Sequence, residues 1–346
     1  MSCEILAKPA HRYMRPEILG DRTRVDLMWN SKTLGIRGPS REDGTFSFWA
    51  IQRPDTVSPL INEMMQEFTA TPPPLQLAQI RFREGISRNG EKIKGLWIDT
   101  ANESIRDLLN EEVWLRSFLD QGWIIEIGQK KKEVVCSAGE EGVELQKCTG
   151  RVWLPSYDLN NKEIPIDSYI SLFSQPGPET NRALIAAGFD LLDTAGIKKL
   201  RWAEWGAGYG NLTAAFLSRL GPNGSASELE PPAAELLSKN IQTLAPGFHC
   251  EQRISEKGPS DFERKVDLWL IDPPRPGFGA LLENLKKLEE PPQYVLAYHC
   301  HAKGLINDSK ILKESNYRLL NWSSVDAFPA TAHHEVISLW EFLRPF

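Results

Sequence analysis

The sequence predicts an α/β protein: a Rossmann-like, doubly wound and mostly parallel sheet closed by a C-terminal antiparallel hairpin, preceded by a smaller α+β domain. Three observations carry this expectation. From about residue 178, amphipathic helices alternate with short apolar strands, the order that right-handed crossovers convert into parallel pairing. A glycine-rich turn, Glu204–Asn211 (EWGAGYGN), follows one of those strands and opens a helix. The 346 residues exceed one ordinary core, so two domains are expected, 1–164 and 165–346.

In chain order, Arg24–Trp29 reads as a strand, followed by a turn at 30–32 and a returning arm over Thr33–Gly38. Leu60, Ile61, Met64, Met65 and Phe68 recur at helical spacing within 54–68, and Thr71–Pro74 (TPPP) breaks that helix. Strands follow at 77–82, 95–98 and 122–127, with a helix over 104–119. The cluster Gln129–Lys132 reads as a solvated hairpin tip or as a tip that touches phosphate. Beyond this α+β region come helices over 179–195, 212–220 and 231–244, with strands over 200–204, 225–228, 266–272 and 294–300. The last apolar runs, 317–325 and 335–342, pair as the closing hairpin.

A formal charge of -6, with 41% hydrophobic and 25% charged residues, describes an ordinary globular chain that is not strongly basic overall. The five cysteines, Cys3, Cys136, Cys148, Cys250 and Cys300, form no CxxC pair. That pattern points away from a disulfide framework, zinc or an iron–sulfur cluster and toward a reducing, cytoplasmic setting. The N-terminal stretch does not read as a secretory signal and no apolar run reaches membrane-span length, so no membrane partner is expected. Adjacent His333 and His334 point apart without a third ligand, so no metal is expected either.

Four acids and a thiol mark a site. Gly206, Gly208 and Gly210 let the backbone approach a ligand closely, and their spacing is not the GxGxxG of dinucleotide turns. Glu204, two positions before the first glycine, suits the methionine end of S-adenosyl-L-methionine better than a pyrophosphate. Glu228 ends the next strand, where a carboxylate accepts hydrogen bonds from ribose hydroxyls. Asp272, followed by two prolines, leaves the sheet at its carboxyl edge and there can hold the cofactor or a base edge. Cys300 ends one apolar strand and Glu335 begins another.

These residues resemble the RNA uracil-5-methyltransferase family, enzymes that use S-adenosyl-L-methionine to make 5-methyluridine in transfer and ribosomal RNA. Asp272–Gly277 (DPPRPG) is similar to the family's DPPR motif, Cys300 falls at the nucleophile of its SCNP motif, and Asp308 matches an acid that follows. Asp326–Glu335 (DAFPATAHHE) looks like the DxFPxTxHxE segment, and Phe173–Gln175 (FSQ) looks like FFQ. The resemblance implies a class I methyltransferase fold over roughly 165–346, with Gln175, Asn211, Glu228 and Asp272 at the cofactor. It further implies Cys300 as nucleophile, Glu335 as proton acceptor, and a tRNA or rRNA partner held in part by the N-terminal region. The chain departs from the pattern at His299, His301 and Ala302, where the family has Ser, Asn and Pro, and at Gly206, where it usually carries a cofactor-contacting Tyr. The family's N-terminal RNA-binding barrel and iron–sulfur cysteines are not matched.

Uracil C5 is too weak a nucleophile to take a methyl group unaided. A thiolate added at C6 gives C5 carbanion character, and a base must later remove the C5 proton so that the thiol can leave. His299 and His301 flank Cys300 on a strand-like path and should face away from it. Two other readings fit parts of the pattern: a non-catalytic RNA-binding or scaffold protein that keeps the fold, and a nitrogen-directed methyltransferase with no need of Cys300 or Glu335.

Overall fold

The computed structural model describes residues 10–16, 19–40, 46–100, 105–129, 132–139, 142–147, 152–254, 257–328 and 334–344. The chain divides into two compact units, each discontinuous: one takes 1–17, 155–166 and 179–346, the other 18–154 and 167–178. A single cut between 164 and 165 does not describe this path. The N-terminal segment belongs with the C-terminal unit because β1 (Arg12–Met14) pairs in that unit's sheet.

The unit of 18–154 and 167–178 is built on β2 (Arg24–Trp29), β3 (Leu34–Ser40), β4 (Phe46–Ala50), α1 (Pro59–Ala70), β5 (Ala78–Ile86) and β6 (Lys92–Asp99). It continues through α2 (Ile105–Leu109), α3 (Glu112–Leu119), β7 (Ile124–Gln129), β8 (Lys132–Ala138) and β9 (Val143–Lys147). The strands lie in the order β4-β3-β2-β5-β6-β7-β8-β9. The helix read from 54 starts at 59, because Ser58 accepts the Ile61 N–H (3.2 Å) and Pro59 has no amide hydrogen to lose. One helix over 104–119 is instead two, since Glu111 leaves helical geometry (φ -86°, ψ 47°) between them. Phe68 of α1 centres the core, with its ring 5.7 Å from Trp29, 5.3 Å from Phe82 and 6.1 Å from Trp114. Gln129 pairs with Lys132 across β7 and β8, while Lys130 and Lys131 lie outside the described residues.

Strands β10 (Val152–Tyr157) and β11 (Glu163–Ser168) pair with each other and carry the chain between the units. The other unit continues through α4 (Pro178–Thr194), β12 (Trp202–Trp205), α5 (Asn211–Leu220), β13 (Gly224–Glu228), α6 (Pro231–Leu244) and β14 (His249–Gln252). After these come β15 (Leu268–Ile271), α7 (Gly279–Leu282), β16 (Tyr294–His299), α8 (Ala302–Glu314), β17 (Tyr317–Val325) and β18 (Glu335–Phe342). The sheet order is β1-β17-β18-β16-β15-β12-β13-β14. Strands β12 to β16 pair in parallel, and β18 runs antiparallel between β16 and β17. Every residue of β12 and β15 is buried, as expected where helices cover both faces of a parallel sheet. No helix among the described residues is long and apolar enough to cross a membrane.

Trp340 anchors β18: it is fully buried and its indole N–H reaches Ser338 Oγ at 3.0 Å. Trp340→Ala is expected to cost about 3–5 kcal/mol of unfolding free energy, read as a lower urea midpoint. An unchanged midpoint would mean that β18 lies outside the cooperative core.

Candidate active site

The donor side of the site forms where β12, β13 and β15 end. Glu204 is almost fully buried (1% exposed), and one of its oxygens accepts the Thr213 hydroxyl at 2.6 Å. Its other oxygen, Oε1, is buried and has no hydrogen-bond partner among the described residues. Burial pushes the Glu204 carboxyl up to about 8, with Asp272 and Glu228 adding to the effect. A buried carboxylate with one open oxygen is suited to a cationic donor such as an ammonium group. At the end of β13, Glu228 Oε2 accepts the Gly208 N–H (2.8 Å), and Oε1 accepts those of Leu229 (2.8 Å) and Glu230 (2.9 Å). Three backbone donors fix its orientation, and a carboxylate has about four acceptor positions, so room remains for one ribose hydroxyl.

Gly206 has φ +74°, and a Cβ placed on it would sit 2.5 Å from the Asp272 carbonyl oxygen. The turn therefore excludes a side chain at that position, which accounts for glycine where the resembled family has Tyr. Gly208 faces open space, and Gly210 caps the start of α5. Asn211 forms a reciprocal amide pair with Asn181 of α4 (2.9 and 2.7 Å), so its side chain braces the turn from behind. This donor set, with an open buried carboxylate oxygen, a ribose-facing acid and a glycine turn, fits S-adenosyl-L-methionine.

On the acceptor side, Cys300 directly follows β16. The antiparallel β16–β18 register ends with His299 paired to Val336, so Cys300 and Glu335 are the adjoining residues of the two chains. Ile271 pairs with Ala297 on the other side, which sets Asp272 at the same edge. Burial raises the half-buried Cys300 thiol, Glu335 and Asp272 raise it further, and Arg275 acts in the opposite direction. Glu335 is pushed up to about 7 by burial, and Asp272 to about 8 by burial with Glu335 and Glu228. Burial holds Cys136 and Cys250 as inert thiols near 12.

His299 is buried, with Nε2 3.1 Å from Asp308 Oδ2. His301 caps α8, its Nδ1 accepting the Lys303 N–H at 3.1 Å. His334 is exposed and His333 lies outside the described residues; among those described, no group of three or more His, Cys, Asp or Glu is arranged to hold a metal.

Gln175 belongs to the other unit, in its returning segment 167–178. That segment is held by Glu126, which accepts the N–H groups of Ile170 and Ser171 (2.8 Å each), and by Arg24, whose guanidinium lies 4.5 Å from the Phe173 ring centre. Sequence reasoning missed Thr213, Asn181, and the roles of Arg275 and the His299–Asp308 pair. Arg275 stands inside the DPPR-like stretch and could have been found there; the others carry no spacing signal.

No family model matches the chain. Bd2056 of Bdellovibrio bacteriovorus, described as an uncharacterized RNA methyltransferase, is 30% identical over 331 residues, which cover 92% of this chain and 80% of the relative. The 23S rRNA (uracil(1939)-C(5))-methyltransferase RlmD of a Shewanella species is 28% identical over 218 residues, 61% of this chain. The chain covers about half (47%) of that protein's length. Among solved structures, the Pyrococcus abyssi tRNA (uracil-54, C5)-methyltransferase in complex with S-adenosyl-L-homocysteine matches with a TM-score of 0.63. That match covers 97% of this chain and 80% of the other at 16% identity, a likeness of fold. Identity of 30% across four-fifths of Bd2056 shows that the chain belongs to the RNA methyltransferase family related to the uracil-C5 enzymes.

Proposed function

We propose that this RNA methyltransferase methylates C5 of a uridine in tRNA or rRNA. The observation that supports this most strongly is the β16–β18 register, whose last pair, His299 with Val336, leaves Cys300 and Glu335 as the next residues of their chains, with Glu335 and Asp272 both acting on the Cys300 thiol. S-adenosyl-L-methionine is held by Glu204, Gly206, Gly208, Gly210, Glu228 and Asp272, with Asn211 supporting the turn through Asn181; Gln175 is assigned on its motif position alone. The cofactor supplies the methyl group that C5 receives. Cys300 adds as thiolate to uracil C6, and the C5=C6 π electrons make C5 nucleophilic. After C5 has been methylated, Glu335 takes the C5 proton, the C5=C6 bond re-forms, and the Cys300 sulfur leaves C6 with its bonding pair. The 18–154 and 167–178 unit holds part of the RNA in a cytoplasmic setting.

Incubation with S-adenosyl-L-methionine and RNA tritiated at uracil C5 tests the scheme. Wild type is expected to release tritium, and Cys300→Ala to release none. Glu335→Gln should accumulate a covalent protein–RNA adduct, because the C5 proton stays on the ring. Methyl transfer without tritium release would favour nitrogen chemistry, and cofactor binding with neither signal would favour a non-catalytic role.

Both Glu335 and Cys300 act deprotonated, so the rate should rise with pH through about 7, where Glu335 ionises, and keep rising as the thiol ionises above it. A plateau reached below pH 6 would remove Glu335 as the base.

Glu204 and Asp272 hold protons up to about 8, and a cation favours their ionised forms. Binding of S-adenosyl-L-methionine at pH 7 is therefore expected to release protons, measured by titration calorimetry in buffers of different ionisation enthalpy. Zero proton exchange would place the cation away from these acids.

A further inference from the structure

Behind Cys300 lies a buried pair that the transfer chemistry leaves unused. Asp308, on α8, has no exposed surface, and its Oδ2 accepts the Phe278 N–H at 2.9 Å while lying 3.1 Å from His299 Nε2. His299 immediately precedes Cys300. Phe278 closes the loop that starts at Asp272 and carries Arg275. One carboxylate oxygen thus joins the two walls of the acceptor site.

The packing around it leaves no slack. Gly277 has φ +95°, and a Cβ there would lie 2.5 Å from Asp308 Oδ1. One turn before Asp308 on α8, a Cβ on Gly304 would lie 2.8 Å from the Arg275 carbonyl oxygen. The loop therefore rests on the surface of α8 with no side chain between, and Gly277 N–H closes it on Pro274 O at 2.8 Å. Asp308 Oδ1 and His299 Nδ1 are both buried without partners among the described residues. Burying a carboxylate and an imidazole carries a desolvation cost that an apolar pair of similar volume would not.

The charged side chains that act on the Cys300 thiol are Glu335 from β18, Asp272 from the end of β15, and Arg275 from the clamped loop; Arg275 favours the thiolate, together with a backbone hydrogen bond at Cys300 itself. We propose that Asp308 and His299 are positioning residues, a shared clamp that holds Arg275 beside Cys300 so that the thiolate forms where uracil C6 is attacked. The proposal rests on the uracil-C5 reading only for the identity of the electrophile. The effect of the clamp on Cys300 is read without RNA.

The test is alkylation of Cys300 by iodoacetamide in the full chain, followed at the Cys300 peptide by mass spectrometry across pH. Arg275→Gln, Asp308→Ala and His299→Leu are each expected to move the midpoint to higher pH, and alkylation at pH 7.5 should slow about tenfold when the midpoint rises by one pH unit. His299→Gln, whose amide nitrogen reaches the same carboxylate, should restore the wild-type midpoint. The Arg275→Gln, Asp308→Ala double variant should be no slower than either single one, because both remove the same interaction. If Asp308→Ala does not fold, the two His299 variants decide. An unchanged midpoint in folded His299→Leu overturns the proposal, and so does a changed plateau at unchanged midpoint, which reports access alone. Normal clamp behaviour in a protein that releases no tritium from C5-labelled RNA would instead count against the uracil-C5 reading.

Discussion

The site depends first on the antiparallel pairing of β18 between β16 and β17. Side chains alternate across a strand, so a slip of one residue would carry Glu335 to the opposite face and away from Cys300. That register has an apolar basis. It is set by the buried apolar residues of the hairpin, with Ile337, Leu339 and Trp340 fully inside. The added strand β1 braces the same edge, since Met14 pairs with Val325, which in turn pairs with Glu335. Position at the reacting atoms is thus a product of hydrophobic burial some distance along the strands.

The parallel half of the sheet performs the corresponding task for the donor side. Glu204 pairs with Ala226 on one side and Leu270 on the other, so Glu228 and Asp272, two residues further along their strands, rise at the carboxyl edge above it. Buried residues throughout β12 and β15 make that edge rigid, and the glycine turn then folds back to give its Gly208 N–H to Glu228. Glu204 and Glu228 stand on the strands themselves and Asp272 directly follows one, so strand register fixes their spacing.

Much of the local structure was legible because it rests on local patterns. α6, β17 and β18 begin and end where the periodicity and turn residues place them. The strand-end acids were found because chemistry at a sheet edge has a recurring sequence form. What was not legible is long-range. β1 has three residues, too few for a periodic signal, and its pairing with β17 crosses most of the chain. His299 finds its partner, Asp308, on the following helix, which no local pattern announces. Likewise Thr213 and Asn181 are ordinary helix residues until the fold sets them against Glu204 and Asn211.

Electrostatics separates this glycine turn from those that bind a pyrophosphate. Glu204, Asp272 and Glu335 are all pushed well above the usual carboxylate range, to about 8, 8 and 7, chiefly by burial. An anionic ligand would raise them further and be repelled by whichever had ionised, whereas a cationic ligand lowers the cost of ionising each. Glu335 and Asp272 also oppose ionisation of the half-buried Cys300 thiol. Arg275 relieves this opposition from one side. A cation bound among Glu204, Glu228 and Asp272 relieves it from the other, and because linkage is reciprocal, whatever favours the thiolate must in turn be affected by binding there. On the proposed chemistry, an acid-rich pocket of this kind would couple the ionisation of Cys300 to the binding of the methyl donor.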